Sequence, residues 1–230
     1  MGATRIKISP SIISANMLKL SEEVRKIEQA GADMIHVDVY PLMVFAFEYS
    51  SLSSITIGTL LFDFLRKRTS LPLEAHLAIE VDDEVINEYI DLGADIITIH
   101  PEVIGEPSDV LKIIDIIKSR GIKLGLALTV SSRTIYIREY EKYADLILLV
   151  TSNPNFSGKI KLDIAEKKLR EIRNYINKCI DLGVDGGMDD ETGPRFVKQG
   201  ATLLVVGKYL FKSKNYEETI NKLRKACMIN

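Results

Sequence analysis

Eight short apolar runs, each followed by a stretch of helical period, succeed one another along the 230 residues. The runs lie near 5–9, 34–39, 73–77, 96–100, 123–128, 146–150, 180–184 and 203–206. The amphipathic stretches cover roughly 20–31, 58–69, 83–92, 108–120, 133–142, 162–176, 190–199 and 215–227. Strands alternating with helices of this length pair in parallel through right-handed crossovers. In the first helix Ser21 is expected as the N-cap, Glu22 and Glu23 fill the first turn, and Gly31 ends it. A weak echo, Gly31-Ala-Asp, Gly93-Ala-Asp, Tyr143-Ala-Asp and Gly200-Ala-Thr, joins a helix end to a strand four times. A left-handed glycine followed by a small residue suits such a tight turn. No Gly-x-Gly-x-x-Gly turn follows any strand, which favours a closed barrel over an open doubly wound sheet. The expectation is an α/β chain forming a single (β/α)8 TIM barrel over residues 1–230.

At 46% hydrophobic and 27% charged residues, the chain can bury a large core. A net charge of −2 gives no electrostatic reason to expect nucleic acid or an anionic membrane as partner. Cys179 and Cys227 form neither a disulfide framework nor a metal-ligand spacing and read as free thiols. The opening residues lack the apolar core of a signal peptide, and no apolar run is long enough to span a bilayer. A cytoplasmic chain is expected.

The three histidines, His36, His76 and His100, each sit at the end of an apolar run, and a fourth run ends in Asp185-Gly-Gly187. The carboxyl ends of barrel strands are where active sites are built. Side chains alternate along a strand, so His36 and Asp38 share a face, with Val37 on the other. His76 comes from the adjacent strand and Asp185 from across the barrel. A lone buried His–Asp pair is usually a satisfied core hydrogen bond; four such groups at strand ends favour a functional site. Two imidazoles and two carboxylates suit a divalent cation such as zinc, iron(II), cobalt or manganese. His100 is left open between a supporting, a substrate-contacting and a structural role.

Phosphate binding is suggested by three glycine-containing segments: Thr151–Lys159, Gly186-Gly187 and Gly207-Lys208. In such barrels the loops after strands 7 and 8 offer backbone N–H groups and a helix N-terminus to an anion. The long irregular stretch from Pro41 to Ser54 carries Phe45, Phe47 and Tyr49, too apolar for a solvated loop. It is expected to be a lid over the barrel mouth or a subunit contact, with the lid slightly favoured.

Taken in order, Ile8-Ser-Pro-Ser-Ile-Ile-Ser-Ala15, Ile35-His-Val-Asp-Val39, Ala75-His-Leu77, Asn153-Pro-x-Phe-x-Gly158 and Val184-Asp-Gly-Gly187 resemble the ribulose-phosphate 3-epimerase family. Its relatives acting on allulose 6-phosphate are included in the resemblance, which runs nearly end to end. The resemblance implies a ribulose-phosphate-binding barrel with His36, Asp38, His76 and Asp185 as metal ligands. Asp38 and Asp185 would also be the acid–base pair. Ser11, His36, His76, Asn155, Phe156, Ser157, Gly158, Gly186, Gly187, Gly207 and Lys208 would contact substrate. The implied reaction is metal-dependent epimerisation at C3 of a ketose phosphate, D-ribulose 5-phosphate to D-xylulose 5-phosphate or a close analogue, through an enediolate and without an organic cofactor. A ketohexose phosphate such as allulose 6-phosphate, or a non-catalytic sugar-phosphate-binding paralogue, is the alternative, and a homo-oligomer is the expected assembly. Pocket positions depart from the family: Tyr40-Pro41-Leu42 replaces Met-Asp-Gly, Ala78 replaces a methionine, and Asn155-Phe156-Ser157-Gly158 replaces Gly-Phe-Gly-Gly. Related barrels that decarboxylate orotidine or hexulose phosphates use an Asp-x-Lys-x-x-Asp array on strand 3. Here that strand, from Leu73 to Glu80, has no such lysine.

Overall fold

The computed structural model describes residues 5–40, 58–151 and 162–228. Its eight strands are β1 Lys7–Pro10, β2 Ile35–Val39, β3 Leu73–Leu77, β4 Ile96–Ile99, β5 Lys123–Thr129, β6 Leu146–Val150, β7 Asp181–Asp185 and β8 Leu203–Val206. The helices between them are α1 Leu20–Gln29, α2 Thr59–Arg66, α3 Asp83–Asp91, α4 Pro101–Ile104, α5 Pro107–Ser119, α6 Ile135–Arg138, α7 Leu162–Tyr175, α8 Thr192–Lys198, α9 Lys208–Phe211 and α10 Tyr216–Ala226. All strand pairs are parallel, and the sheet runs β1-β8-β7-β6-β5-β4-β3-β2. It bends round into a nearly closed TIM barrel, the expected fold. Between β1 and β2 the closure is slight: one bridge, Ser11 to His36, and the bond from Asp33 N to Ile8 O at 3.0 Å.

Strand alternation splits the apolar side chains into two cores. Ile35, Val37, Leu77, Ile99, Leu126, Leu149, Val184 and Leu204 point outward and pack under the helices. Met34, Ile96, Ala127, Leu146, Leu148, Val150, Leu203 and Val205 fill the lumen.

The fourfold echo has a structural reason beyond the turn. Gly31, Gly93 and Gly200 do take positive φ (78°, 86° and 103°), as the tight turn demands. The next-but-one residue then clamps the preceding strand. Asp33 Oδ2 accepts from Ile8 N, Asp95 Oδ2 from Leu73 N and Asp145 Oδ2 from Leu124 N, each at 2.8 Å, and Thr202 Oγ1 accepts from Leu182 N at 2.9 Å. A basic side chain backs each aspartate: Arg224 at 2.6 Å, Arg66 at 2.9 Å and Lys118 at 2.8 Å. Each even strand is thus pinned at its entrance to the odd strand before it.

Three local expectations are corrected. Ser21 is not an N-cap: the Asn16 side chain accepts from Leu18 N, and a 3-10 turn over Met17–Lys19 leads straight into α1, leaving Ser21 inside the helix. Asn is at least as good a cap as Ser and lies further upstream. The helix expected over 133–142 shrinks to α6 and a 3-10 turn over Glu141–Tyr143, because that stretch is crowded with β-branched and aromatic residues. His100 lies just beyond β4 as the N-cap position of α4, with Pro101 opening the helix. The segment from Pro41 to Ser54, with Phe45, Phe47 and Tyr49, lies outside the described residues.

Candidate active site

Strand register brings the chemistry together. His36 and Asp38 point into the lumen from β2, and Asp38 stands directly opposite His76 on β3. Ser11, just past β1, donates its hydroxyl hydrogen to Asp38 Oδ2 at 2.8 Å. Asp38 Oδ1 sits 2.9 Å from His36 Nε2 and 3.0 Å from His76 Nδ1. Asp185 closes the set from the end of β7, and the potential ligand atoms of His36, Asp38, His76 and Asp185 lie within 4.8 Å of one another. All four side chains are buried. This cluster could hold a metal ion: two imidazoles and two carboxylates form a borderline N/O donor set.

The two imidazoles turn opposite nitrogens toward Asp38, and their far nitrogens are held too. His36 Nδ1 lies 2.7 Å from Glu74 Oε2. His76 Nε2 lies 2.9 Å from His100 Nε2, with the two rings stacked at 5.1 Å between centroids. One nitrogen of that pair carries the hydrogen and the other accepts. Glu102, near His100, accepts from the Ser132 hydroxyl at 2.6 Å.

Charges in so small a buried volume govern one another. Burial opposes charge on His36, but the carboxylates of Asp38 and Glu74 outweigh it and raise the ring well above the usual imidazole value. Burial likewise opposes ionisation of Asp38; His36 beside it and the hydrogen bonds from both imidazoles pull it well below the carboxylate range. Burial, with repulsion from His36 and His100, holds His76 below the usual value despite its bond to Asp38. Asp185 goes the other way, pushed up to about 7 by burial and by the negative charge of Asp38. In the metal-free site the two aspartates are therefore displaced in opposite directions, Asp38 down and Asp185 up.

The turn after β7 is built for close backbone approach, with Gly186 and Gly187 at φ 117° and 71°. Thr151, after β6, fixes that turn: its N–H donates to Asp185 O at 2.7 Å, and its hydroxyl lies 2.7 Å from Gly186 O. Gly207 and Lys208 follow β8, the strand paired to β7, and Lys208 opens the short helix α9. A Cβ on Gly207 would lie 2.7 Å from Ser14 Oγ. Asn155, Phe156, Ser157 and Gly158 fall outside the described residues.

Sequence reasoning did not single out Glu74 and left the partner of His100 unnamed. The signal for Glu74 was present. It stands two residues before His76, the spacing that put His36 and Asp38 on one face, and a glutamate inside an apolar run must have a partner.

The model of the Ribulose-phosphate 3 epimerase family matches residues 7–211. The ribulose-phosphate 3-epimerase of Bacillus subtilis (strain 168) is 33% identical over 223 residues, 95% of this chain and 98% of that protein. The chloroplastic ribulose-5-phosphate-3-epimerase of Arabidopsis thaliana is 34% identical over 225 residues, 95% of this chain and 76% of that one. Among solved structures, 3-hexulose-6-phosphate synthase superposes with a TM-score of 0.71 at 15% identity, covering 96% of this chain and 99% of that one. Orotidine 5'-phosphate decarboxylase from Pyrococcus horikoshii OT3 gives 0.68 at 14%, covering 96% and 98%. At such identities these two speak to the barrel alone.

Proposed function

The chain belongs to the ribulose-phosphate 3-epimerase family, and from that premise we propose that it is an isomerase inverting C3 of a phosphorylated ketose, with D-ribulose 5-phosphate as the first candidate. The observation that carries the proposal is the buried cluster at the strand ends, in which Asp38 from β2 and Asp185 from β7 meet His36 and His76 with their potential ligand atoms within 4.8 Å of one another. Two carboxylates brought to one closed site from different strands are suited to act as base and acid.

His36, Asp38, His76 and Asp185 would hold a divalent cation. When bound, the cation supplies Lewis-acid polarisation of the ketone, which lowers the barrier to removing the neighbouring proton. Asp38 takes the C3 proton from one face of the sugar. Asp185 returns a proton to the opposite face, so the planar enediolate between the two steps is re-protonated with inversion. In the reverse direction the roles exchange. The Ser11 hydroxyl holds Asp38 Oδ2, which leaves the carboxylate one fixed orientation. The apolar lining beside and beneath Asp185, with Val150 and Val205 in register with it and Ala127 and Leu148 further in, keeps water from protonating the intermediate at random. The Gly186-Gly187 turn and Gly207-Lys208 stand on adjacent strand ends, where their backbone could receive the phosphate.

The test is proton exchange. Asp38→Asn and Asp185→Asn should each abolish exchange of the C3 proton with heavy water, measured by NMR with pentulose and hexulose phosphates in turn. Unimpaired exchange in both variants would overturn the two-carboxylate assignment.

A further inference from the structure

Glu74 takes no part in the proton transfer, yet its carboxylate is wholly enclosed in the lumen wall, in register with His36 and two residues before His76 on β3. Enclosing an unpaired carboxylate costs several kcal/mol, so both oxygens need donors. Oε2 meets Nδ1 of His36 at 2.7 Å, and Oε1 accepts from the Thr98 hydroxyl at 2.6 Å. Thr98 can reach it only because its partner on β5 is Gly125. A Cβ on Gly125 would lie 2.1 Å from Thr98 Oγ1 and 2.8 Å from Thr98 Cβ. Residues on three successive strands are cut to fit one another, and what they hold is the ring of His36.

We propose that Glu74, braced by Thr98, is the positioning residue for His36: it keeps a hydrogen on Nδ1, so that Nε2, which bonds Asp38 in the metal-free site, is the nitrogen offered to a cation when one binds. This rests on the reading of His36, Asp38, His76 and Asp185 as a metal centre. A carboxylate behind a ligating imidazole fixes its tautomer and its orientation and makes the ring a stronger donor. Glu74 then sets the affinity for the cation without touching the cation or the sugar. His76 is backed instead by another imidazole, so His36 is the ligand anchored by a full charge.

The experiment is Co2+ binding to chelator-stripped protein, read by competition with a chromophoric chelator, for wild type, Glu74→Gln and Thr98→Val. The melting temperature of each stripped protein is recorded alongside. Wild type is expected to take up one equivalent. In Glu74→Gln the Kd rises roughly 10- to 100-fold, and Thr98→Val moves it the same way by less. In zinc-loaded wild type the His36 Nδ1 proton gives a far-downfield NMR signal, which moves upfield in both variants. A wild type that binds no divalent cation overturns the metal centre and this inference together. A wild type that binds, with both variants binding as tightly, overturns the inference alone, since a merely structural Glu74 shifts melting and leaves Kd where it was. If Glu74→Gln does not fold, Thr98→Val keeps the carboxylate and decides by the same criteria.

Discussion

Burial and the charge of Asp38 hold the Asp185 carboxyl near 7, far above its value in an unfolded chain. That difference is a stability statement for the metal-free protein. Below about pH 4 the group is protonated folded or unfolded, and it costs nothing. As pH climbs from there through 7, the unfolded chain sheds the proton while the folded chain retains it, so stability falls. Asp185→Asn removes this penalty. In chelator-treated protein the variant should therefore gain on wild type between pH 5 and pH 8, by on the order of 2–4 kcal/mol in urea denaturation. A stability gap that is flat over this range would contradict the raised proton affinity. Asp185 was legible in the sequence because it ends an apolar run just before two glycines. Its perturbation was not, because that depends on how close Asp38 comes from the far side of the lumen.

The barrel itself was legible at the level of elements, since eight short apolar runs alternating with stretches of period 3.6 leave few other folds. The echo at residues 31–33, 93–95, 143–145 and 200–202 was visible too, but only the stagger of the strands decides which N–H a side chain can reach. Asp33, Asp95, Asp145 and Thr202 turn out to be clamps at the amino ends of the strands, opposite the candidate site. Asp95→Ala strips Leu73 N of its acceptor and Arg66 of its ion-pair partner. The expected cost is about 1–3 kcal/mol in urea denaturation, with turnover per folded molecule unchanged. Asp33→Ala should cost more, because its clamp lies where β1 and β2 are joined most thinly. A loss of turnover in Asp95→Ala without a loss of stability would show that the clamp serves the chemistry instead.

Across the whole molecule the lumen has two unlike walls. Strands β1 to β4, with the turn just past β1, supply Ser9, Ser11, His36, Asp38, Glu74, His76 and Thr98, all buried, and the apolar Ile96, while β5, β6 and β8 supply Ala127, Leu148, Val150 and Val205, with Asp185 of β7 between the last two. A cation at the cluster would neutralise the acidic wall where it meets the apolar one. Stripping the metal should thus lower the melting temperature, and restoring it to about 100 times Kd should return roughly 2.7 kcal/mol, or about 5–10 °C for a chain of this size. No shift on chelation would argue against a cation at this place. Among the described residues no helix is long and apolar enough to cross a membrane. The two walls are also separated in time. The hydrophilic wall leaves the ribosome first, and about 170 residues part Asp38 from Val206, roughly 10–30 s of synthesis. Through that interval Asp38 and Glu74 remain hydrated at no expense. Their counterpart Asp185 is made about 150 residues after Asp38, and β8, which joins β7 to β1, comes after it. In a nascent chain the chemistry waits for the last quarter of the fold.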